Sequence, residues 1–371
     1  METAVRELFP GLHDIIYLNT ATMAVGCAPA RDAYEGAVER WSEGRFDWME
    51  AERAGEDARA AFSEIIGASP AEVAIVPAVS TAAGIVAANL PSAGRGENIV
   101  VGRREFSSNY FPWLLLRERG YDVRAVATEG ASPPEETLAR AADGGTRLIA
   151  VSAVDSLTGY RADLAALGRT AAACGAWLFV DACQAAGAVH LDVAHDNVDF
   201  LAAASHKFLL GSRGMGYLYV RREHVGKMRP VLAGWKAARD PGNAFSGPAM
   251  DLSPTASRLD TSLTWFSALA ERASLGVLRR FGVAAVLDRD ARLSAHLHDA
   301  LAARRPGLRL MPMDHRSTIV SVPVRDADAV MSRFREANVV ASVRGGRVRL
   351  AVHFYNDEAE IDRAVDLLGG E

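Results

Sequence analysis

Cysteine is scarce in this chain. Cys27, Cys174 and Cys183 are odd in number and far apart, which excludes a disulfide framework. No cysteine pair has CxxC spacing, and none of the nine histidines stands in an HExxH pattern. His190, His195, His296 and His298 read as packing or surface residues, and no metal site is expected. Long basic runs are missing too. The best, Arg344-Gly-Gly-Arg347-Val-Arg349, is short and flanked by apolar residues, and the net charge is −5, so no nucleic-acid partner is expected. No apolar stretch approaches the roughly 18 residues of a membrane span, and METAVRELF does not read as a signal peptide. These absences point to a cytoplasmic protein with no membrane partner.

What is present suits one large two-part α/β enzyme: 371 residues, 49% of them hydrophobic. The organising stretch is 177–220. One apolar run ends at Asp181, a second in Ser205-His206-Lys207, and a third covers 217–220 after Gly211, Gly214 and Gly216. Runs this short, bounded by polar turns, predict buried strands of a parallel or mixed sheet. Asp181 and Lys207 then stand at strand ends, where such sheets collect ligand-binding side chains. A desolvated lysine amine forms a Schiff base with an aldehyde. An aspartate at a neighbouring strand end holds a ring nitrogen protonated, and the two together are the arrangement used for pyridoxal phosphate (PLP). The glycine loop is not a dinucleotide fingerprint, because a strand rather than a helix follows it.

Around this stretch the pattern predicts strands at 72–76, 98–101 and 148–154, and helices at 31–45, 51–67 and 164–174. A helix opens at 79–84, with Ser80 or Thr81 as its N-cap. From about residue 275 the pattern changes to a helix over 276–304, strands at 317–322, 339–343 and 347–352, and helices at 327–336 and 358–368.

The segments VDACQAAG (180–187) and SHKFLLGSRGMG (205–216) resemble the class V aminotransferases of PLP fold type I, a superfamily of cysteine desulfurases, kynureninase and isopenicillin N epimerase-like enzymes. The resemblance covers nearly the whole chain. It implies a large α/β domain on a mostly parallel seven-stranded sheet and a small α+β C-terminal domain. The corresponding division is an N-terminal segment 1–30 packing on the small domain and the active site, a PLP-binding domain 31–274, and a small domain 275–371. It also implies a homodimer with composite active sites and a small amino-acid substrate.

By the same resemblance Lys207 carries the cofactor, Asp181 meets the pyridine nitrogen, and Gln184 the ring hydroxyl oxygen. Ser80, Thr81 and Ala82 hold the phosphate at a helix N-terminus, a site that free N–H groups and the helix dipole favour. His206 matches a phosphate contact; Ser205 stands one place after the family's serine position, which is Ala204 here. Glu105, Ser108, Asn109, Pro112 and Trp113 match an E-H-x-S-N…P-W pattern, with Phe106 replacing the histidine that stacks on the ring. Phenylalanine still stacks but moves no proton. Ser156 replaces an asparagine near the substrate carboxylate. Arg349 matches the arginine that grips that carboxylate, a task suited to a guanidinium fork. Asn19 and Ala21 are expected on the substrate side. Trp235, with Phe46 and Trp48, is expected to stack on a bulky substituent. Arg258, Asp260, Thr261 and Thr264 fit loosely a segment that reaches the partner's phosphate. Cys183 reads as a buried filler.

The family's reactions share proton removal at Cα by the lysine, and fold alone does not choose among them. Residues 342–347 hold no cysteine, which argues against persulfide-forming desulfuration. The leading expectation is β-elimination from an S-substituted cysteine conjugate, a C–S lyase of small-molecule biosynthesis. The alternatives are a transaminase or decarboxylating oxidative deaminase of a similar conjugate, an epimerase, and a PLP-binding protein without catalysis.

Overall fold

The computed structural model describes residues 2–128, 132–247 and 249–369. A short strand β1 (Ile16–Tyr17) comes first. The main sheet follows: β2 (Val73–Val76), β3 (Asn98–Gly102), β4 (Asp122–Val126), β5 (Thr146–Ser152), β6 (Trp177–Asp181), β7 (Phe200–Ala204) and β8 (Gly216–Val220). Its order is β2-β8-β7-β6-β5-β3-β4. Only β8 runs against its neighbours β2 and β7; the other pairings are parallel. β2, β3 and β8 are buried along their whole length, because apolar cores cover the sheet on both faces. The C-terminal ends of β3, β5, β6 and β7 therefore form one edge, where polar side chains collect.

A second, smaller body holds β9 (Ile319–Pro323), β10 (Val339–Val340), β11 (Ser342–Arg344) and β12 (Arg347–Ala351). Its antiparallel sheet has the order β11-β12-β9. The N-terminal segment is stitched to it: β1 pairs with β10, Leu18 and Ala351 share a main-chain hydrogen bond, and the Asn356 amide donates to the Tyr17 carbonyl.

Several expectations shift, among them the strand expected over 339–343, which is two: β10 pairs with β1 and β11 with β12. The helix expected over 276–304 is two, Trp265–Phe281 and Val283–Arg304. Gly282 separates them with φ +82°, a conformation glycine adopts without Cβ penalty. The first of the two packs against the Ala28–Ser42 and Trp48–Ile65 helices. The strand expected over 148–154 ends at Ser152, because Val154 turns aside to bridge Arg161. The helix expected from 51 starts at Trp48, where Asp47 accepts from the Met49 amide at 2.9 Å. Among the described residues, no helix is long and apolar enough to cross a membrane.

Candidate active site

Lys207 lies in the turn after β7, with Nζ 5.8 Å from the centroid of the Phe106 ring. That ring is 56% exposed, so its face is open to a stacking partner. Asp181 ends β6 in register with Ser152 of β5 and Ala202 of β7. Its carboxyl is buried and accepts from the Cys183 amide at 2.9 Å. Burial pushes its pKa up, while the Cys183 amide and the charge of Lys207 pull it down. A carboxyl so placed favours a nearby positive charge, such as a protonated ring nitrogen.

Glu105 bolts this edge together. Its carboxyl accepts from the Ser152 amide at 2.9 Å and the Asn109 amide group at 3.0 Å. Asn109 in turn accepts from the indole of Trp113 at 3.1 Å. Burial raises the Glu105 pKa to about 7, the Ser152 and Asn109 donors oppose that, and the charge of Asp181 adds to it. A cavity of ≈ 550 Å³ opens beside the bolt, lined among others by Glu105, Ser152, Asp155 and Leu157.

The other expected cofactor residues divide. Gln184 donates to the Ala21 carbonyl at 2.9 Å, and its buried Oε1 has no partner. An orphaned acceptor is costly, and a ring hydroxyl would satisfy it. The helix Val79–Asn89 is capped by Ala78, not by Ser80 or Thr81. Thr81 and Ala82 already donate to the Ala78 carbonyl, which leaves Val79 and Ser80 as the amides of this helix's first turn that have no intrahelical acceptor. The Ala82 amide, expected to meet a phosphate, is thus already used within the turn, and the Ser80 side chain is exposed. His206 is half-buried beside Lys207; burial first, then the charges of Lys207 and Arg213, lower its pKa to about 4.

Ser205 is corrected as a phosphate contact. It is fully buried, and its hydroxyl donates to the carbonyls of Ser212 and Met215 at 2.8 and 3.0 Å. It holds the glycine loop shut. Cys183 accepts from the Ala204 amide at 3.3 Å, and burial, then the charge of Asp181, push its thiol pKa up; it packs and stays protonated.

On the substrate side Arg349 is 3% exposed. Its guanidinium donates to the Ser156 carbonyl at 2.7 Å, to Thr22 Oγ1 at 2.7 Å and to Ser342 Oγ at 3.2 Å. All three partners are neutral, and no carboxylate lies at ion-pair distance among the described residues. Ser156 thus acts through its main chain. Asn19 bridges Ala351 through its backbone, and its buried Oδ1 has no partner. Thr22 and Ser342 were missed by sequence reasoning; Ser342 shows up once β11 is set in register, opposite Arg349.

Trp235 and Thr261 are not brought to this cluster. Trp235 packs with Trp48 and Phe245. Phe46 packs with Trp265 and Phe266. Thr261 donates its amide to the Ile75 carbonyl. Asp260 is locked by Arg59 at 2.6 Å and by the Ile75 amide at 2.8 Å, and Arg258 reaches the Val225 carbonyl at 3.4 Å.

A strand-end lysine, a buried aspartate across from it, an open aromatic face and an arginine held only by neutral partners meet at one edge of the sheet. The model of the family described as aminotransferase class-V matches residues 31–363. The chain belongs to that family. It is a PLP-dependent enzyme, and the residues present fit that cofactor: Gln184 Oε1 lacks a donor, Asp181 is buried, and two first-turn helix amides have no intrahelical acceptor. An uncharacterized aminotransferase of Bacillus subtilis is 32% identical over 366 residues, covering 97% of this chain and 95% of that one. The isopenicillin N epimerase of Streptomyces clavuligerus is 30% identical over 342 residues, 85% of this chain and 84% of that one. Among solved structures, a complex of the cystine C–S lyase C-DES with cysteine persulfide superposes with a TM-score of 0.83 at 21% identity, covering 97% of this chain and 98% of that one; at that identity the likeness is one of fold.

Proposed function

We propose that this class-V enzyme catalyses β-elimination from an S-substituted cysteine, releasing a thiol. The observation that carries the reading is the pairing of one amine, Lys207, with an Arg349 that has no carboxylate at ion-pair distance among the described residues, beside a Phe106 ring that moves no proton. Bound PLP supplies an aldehyde for the substrate amine and an electron sink for the carbon that loses its proton. Val79 and Ser80 offer amides, and the helix dipole adds to them, for its phosphate. Asp181 keeps a proton on the ring nitrogen. Arg349 would take the α-carboxylate in its fork and so hold Cα in place for Lys207. Lys207 then removes the Cα proton.

Phe106 favours elimination over epimerisation. Epimerisation needs a proton delivered to the face opposite Lys207, and Phe106 has none to give. A thiolate leaves without acid assistance more readily than most groups, because its conjugate acid has a pKa of only ~8.5. The 342–347 turn holds no cysteine to carry a persulfide, which supports release of the sulfur as a free thiol.

The same reading places the enzyme in the cytoplasm, in a small-molecule pathway, as a homodimer. The exposed cluster of Trp41, Trp48, Phe245 and Trp265, and a groove of ≈ 500 Å³ lined in part by Ser80, Phe111, Pro112 and Leu115, support a second copy covering these faces and completing the phosphate site.

The test is thiol release from a panel of S-substituted cysteines by the PLP-loaded protein. Release that disappears in Lys207→Ala is the expected result. Cofactor loading and amino-acid binding without thiol release from any member would refute the lyase reading.

A further inference from the structure

The β11-β12-β9 sheet has two unlike faces. Alternation sends Val320, Val322, Val348 and Leu350 into the core of the small body. The register places Arg344, Arg347 and Arg349 on the other face, with Ser321 and Ser342. Arg344 stands directly opposite Arg347. Like charges facing each other across strands destabilise a sheet, so this arrangement is a local cost without a structural return.

None of the three arginines has a carboxylate at ion-pair distance among the described residues. Arg349 is held by Ser156, Thr22 and Ser342. Arg347 donates to the carbonyl and hydroxyl of Ser321 at 2.7 and 3.0 Å. Arg344 reaches only the carbonyl of Val343, at 3.3 Å. Asp155 is the acidic group whose charge acts on Arg349, but its carboxylate already accepts from the Leu157 and Thr158 amides and the Thr158 hydroxyl. Burial first, and the charge of Arg344 second, bring the Arg349 pKa down to about 10. An anion placed between these arginines would relieve that repulsion.

The three charges form a file. Arg349 is buried, Arg347 half-buried and Arg344 exposed, running from the clamp out to solvent. The turn between Arg344 and Arg347 is tight: Gly345 and Gly346 have φ of +56° and +73°, and a Cβ on Gly345 would meet Leu157 at 3.2 Å. The hairpin tip thus packs on the 155–158 loop whose Ser156 carbonyl holds Arg349. Two residues along a strand advance the chain by about 7 Å, so Arg347 and its neighbour Arg344 lie roughly that far from the clamp.

We propose that the substrate carries a second anionic group, a carboxylate at the far end of the sulfur substituent, received by Arg344 and Arg347 while Arg349 holds the α-carboxylate. This rests on the reading of Arg349 as the α-carboxylate clamp. It defines the substrate class as dicarboxylic cysteine thioethers.

The probes are S-(2-carboxyethyl)cysteine and its neutral isostere S-(2-carbamoylethyl)cysteine. Binding to the PLP-loaded enzyme is read from the cofactor absorbance in the first milliseconds after mixing, ahead of any thiol release. The expected result is a dissociation constant about tenfold or more lower for the carboxylate, equivalent to about 1.4 kcal/mol, shrinking as ionic strength rises. Arg344→Gln is expected to bring the two ligands within about twofold of each other, and Arg344→Glu to favour S-(2-aminoethyl)cysteine instead. Arg344 is exposed, so both variants are expected to fold, and an unchanged circular dichroism spectrum checks that. Equal affinities in the parent enzyme, or a preference that survives both substitutions, would overturn the inference. Preference without thiol release would support it and refute the lyase reading. Thiol release without preference would overturn it and leave that reading standing.

Discussion

Arg349 concentrates the logic of the site in one side chain. Its three partners are neutral, so a carboxylate entering the fork meets a charge with no carboxylate at ion-pair distance among the described residues, in a dry setting where charge-assisted hydrogen bonds are strongest. Lysine carries the charge but not the fork. Arg349→Lys is therefore expected to raise KM by about 30- to 100-fold, equivalent to about 2–3 kcal/mol, with a smaller change in kcat; steady-state kinetics on a reactive thioether checks this. Glu271 shows the opposite use of burial. It is fully buried, accepts from Tyr217 at 2.9 Å, and leaves Oε2 against Gly211, where a Cβ would come within 1.8 Å of it. Burial raises its pKa to about 8, against the pull of Tyr217 and Ser205. The folded protein thus holds this proton more tightly than the unfolded chain, where the pKa is ~4.3. The stability it contributes is complete below that value and is lost as pH rises through about 8, by about 1.4 kcal/mol per pH unit across the window. Glu271→Gln keeps the Tyr217 bond and should remove this slope. Denaturation midpoints of both proteins between pH 5 and 9 are expected to diverge with rising pH, the variant being the more stable at the alkaline end.

Among the elements, the edge strand β2 depends on a charge buried beside it. Asp260 binds Arg59 of the Trp48–Ile65 helix and the Ile75 amide of β2, and both side chains are almost completely buried. Removing one member of such a pair strands the other. Asp260→Ala is expected to destabilise the large body by about 3–5 kcal/mol, read as a lower denaturant midpoint, whereas Asp251→Ala, which breaks the exposed pair with Arg239, should cost under about 1 kcal/mol. The roles of these elements were unevenly legible. Strands β6, β7 and β8 stand where short apolar runs place them, since a strand buried on both faces needs nothing else. The cap of the Val79–Asn89 helix was not legible, because Ala78 caps through conformation without a side-chain signal. Nor was the break at Gly282, since one glycine inside a helical pattern reads as tolerable. Asp260 resembled a phosphate-side residue in sequence, yet its partner lies 201 residues away, and only the folded chain shows that its charge is already used.

For the molecule as a whole, the candidate active site is assembled where three parts of the chain meet. The main sheet supplies Asp181 and Lys207, the small body supplies Arg349, and the N-terminal segment closes the gap through Ala21 and Thr22. Lys207 and Asp181 were readable as polar residues just past or at the end of apolar runs, and Arg349 by its match to a family pattern, since β12 carries Arg347 as well. Thr22 was not, since it meets Arg349 across 327 residues of chain. Ser205 was misjudged because a glycine-loop turn, invisible in the pattern, directs its hydroxyl inward. On the proposed reading, Lys207 is the amine, Arg349 the carboxylate clamp and Phe106 a ring that gives no proton, and the central consequence of that reading is cleavage of the Cβ–S bond after the Cα proton leaves. The most direct measurement is mass spectrometry of the carbon product formed when the PLP-loaded protein turns over an S-substituted cysteine. Pyruvate in equal amount to the free thiol is the predicted result. A keto acid or aldehyde that still carries the sulfur, or the unchanged thioether recovered with inverted Cα, would contradict it.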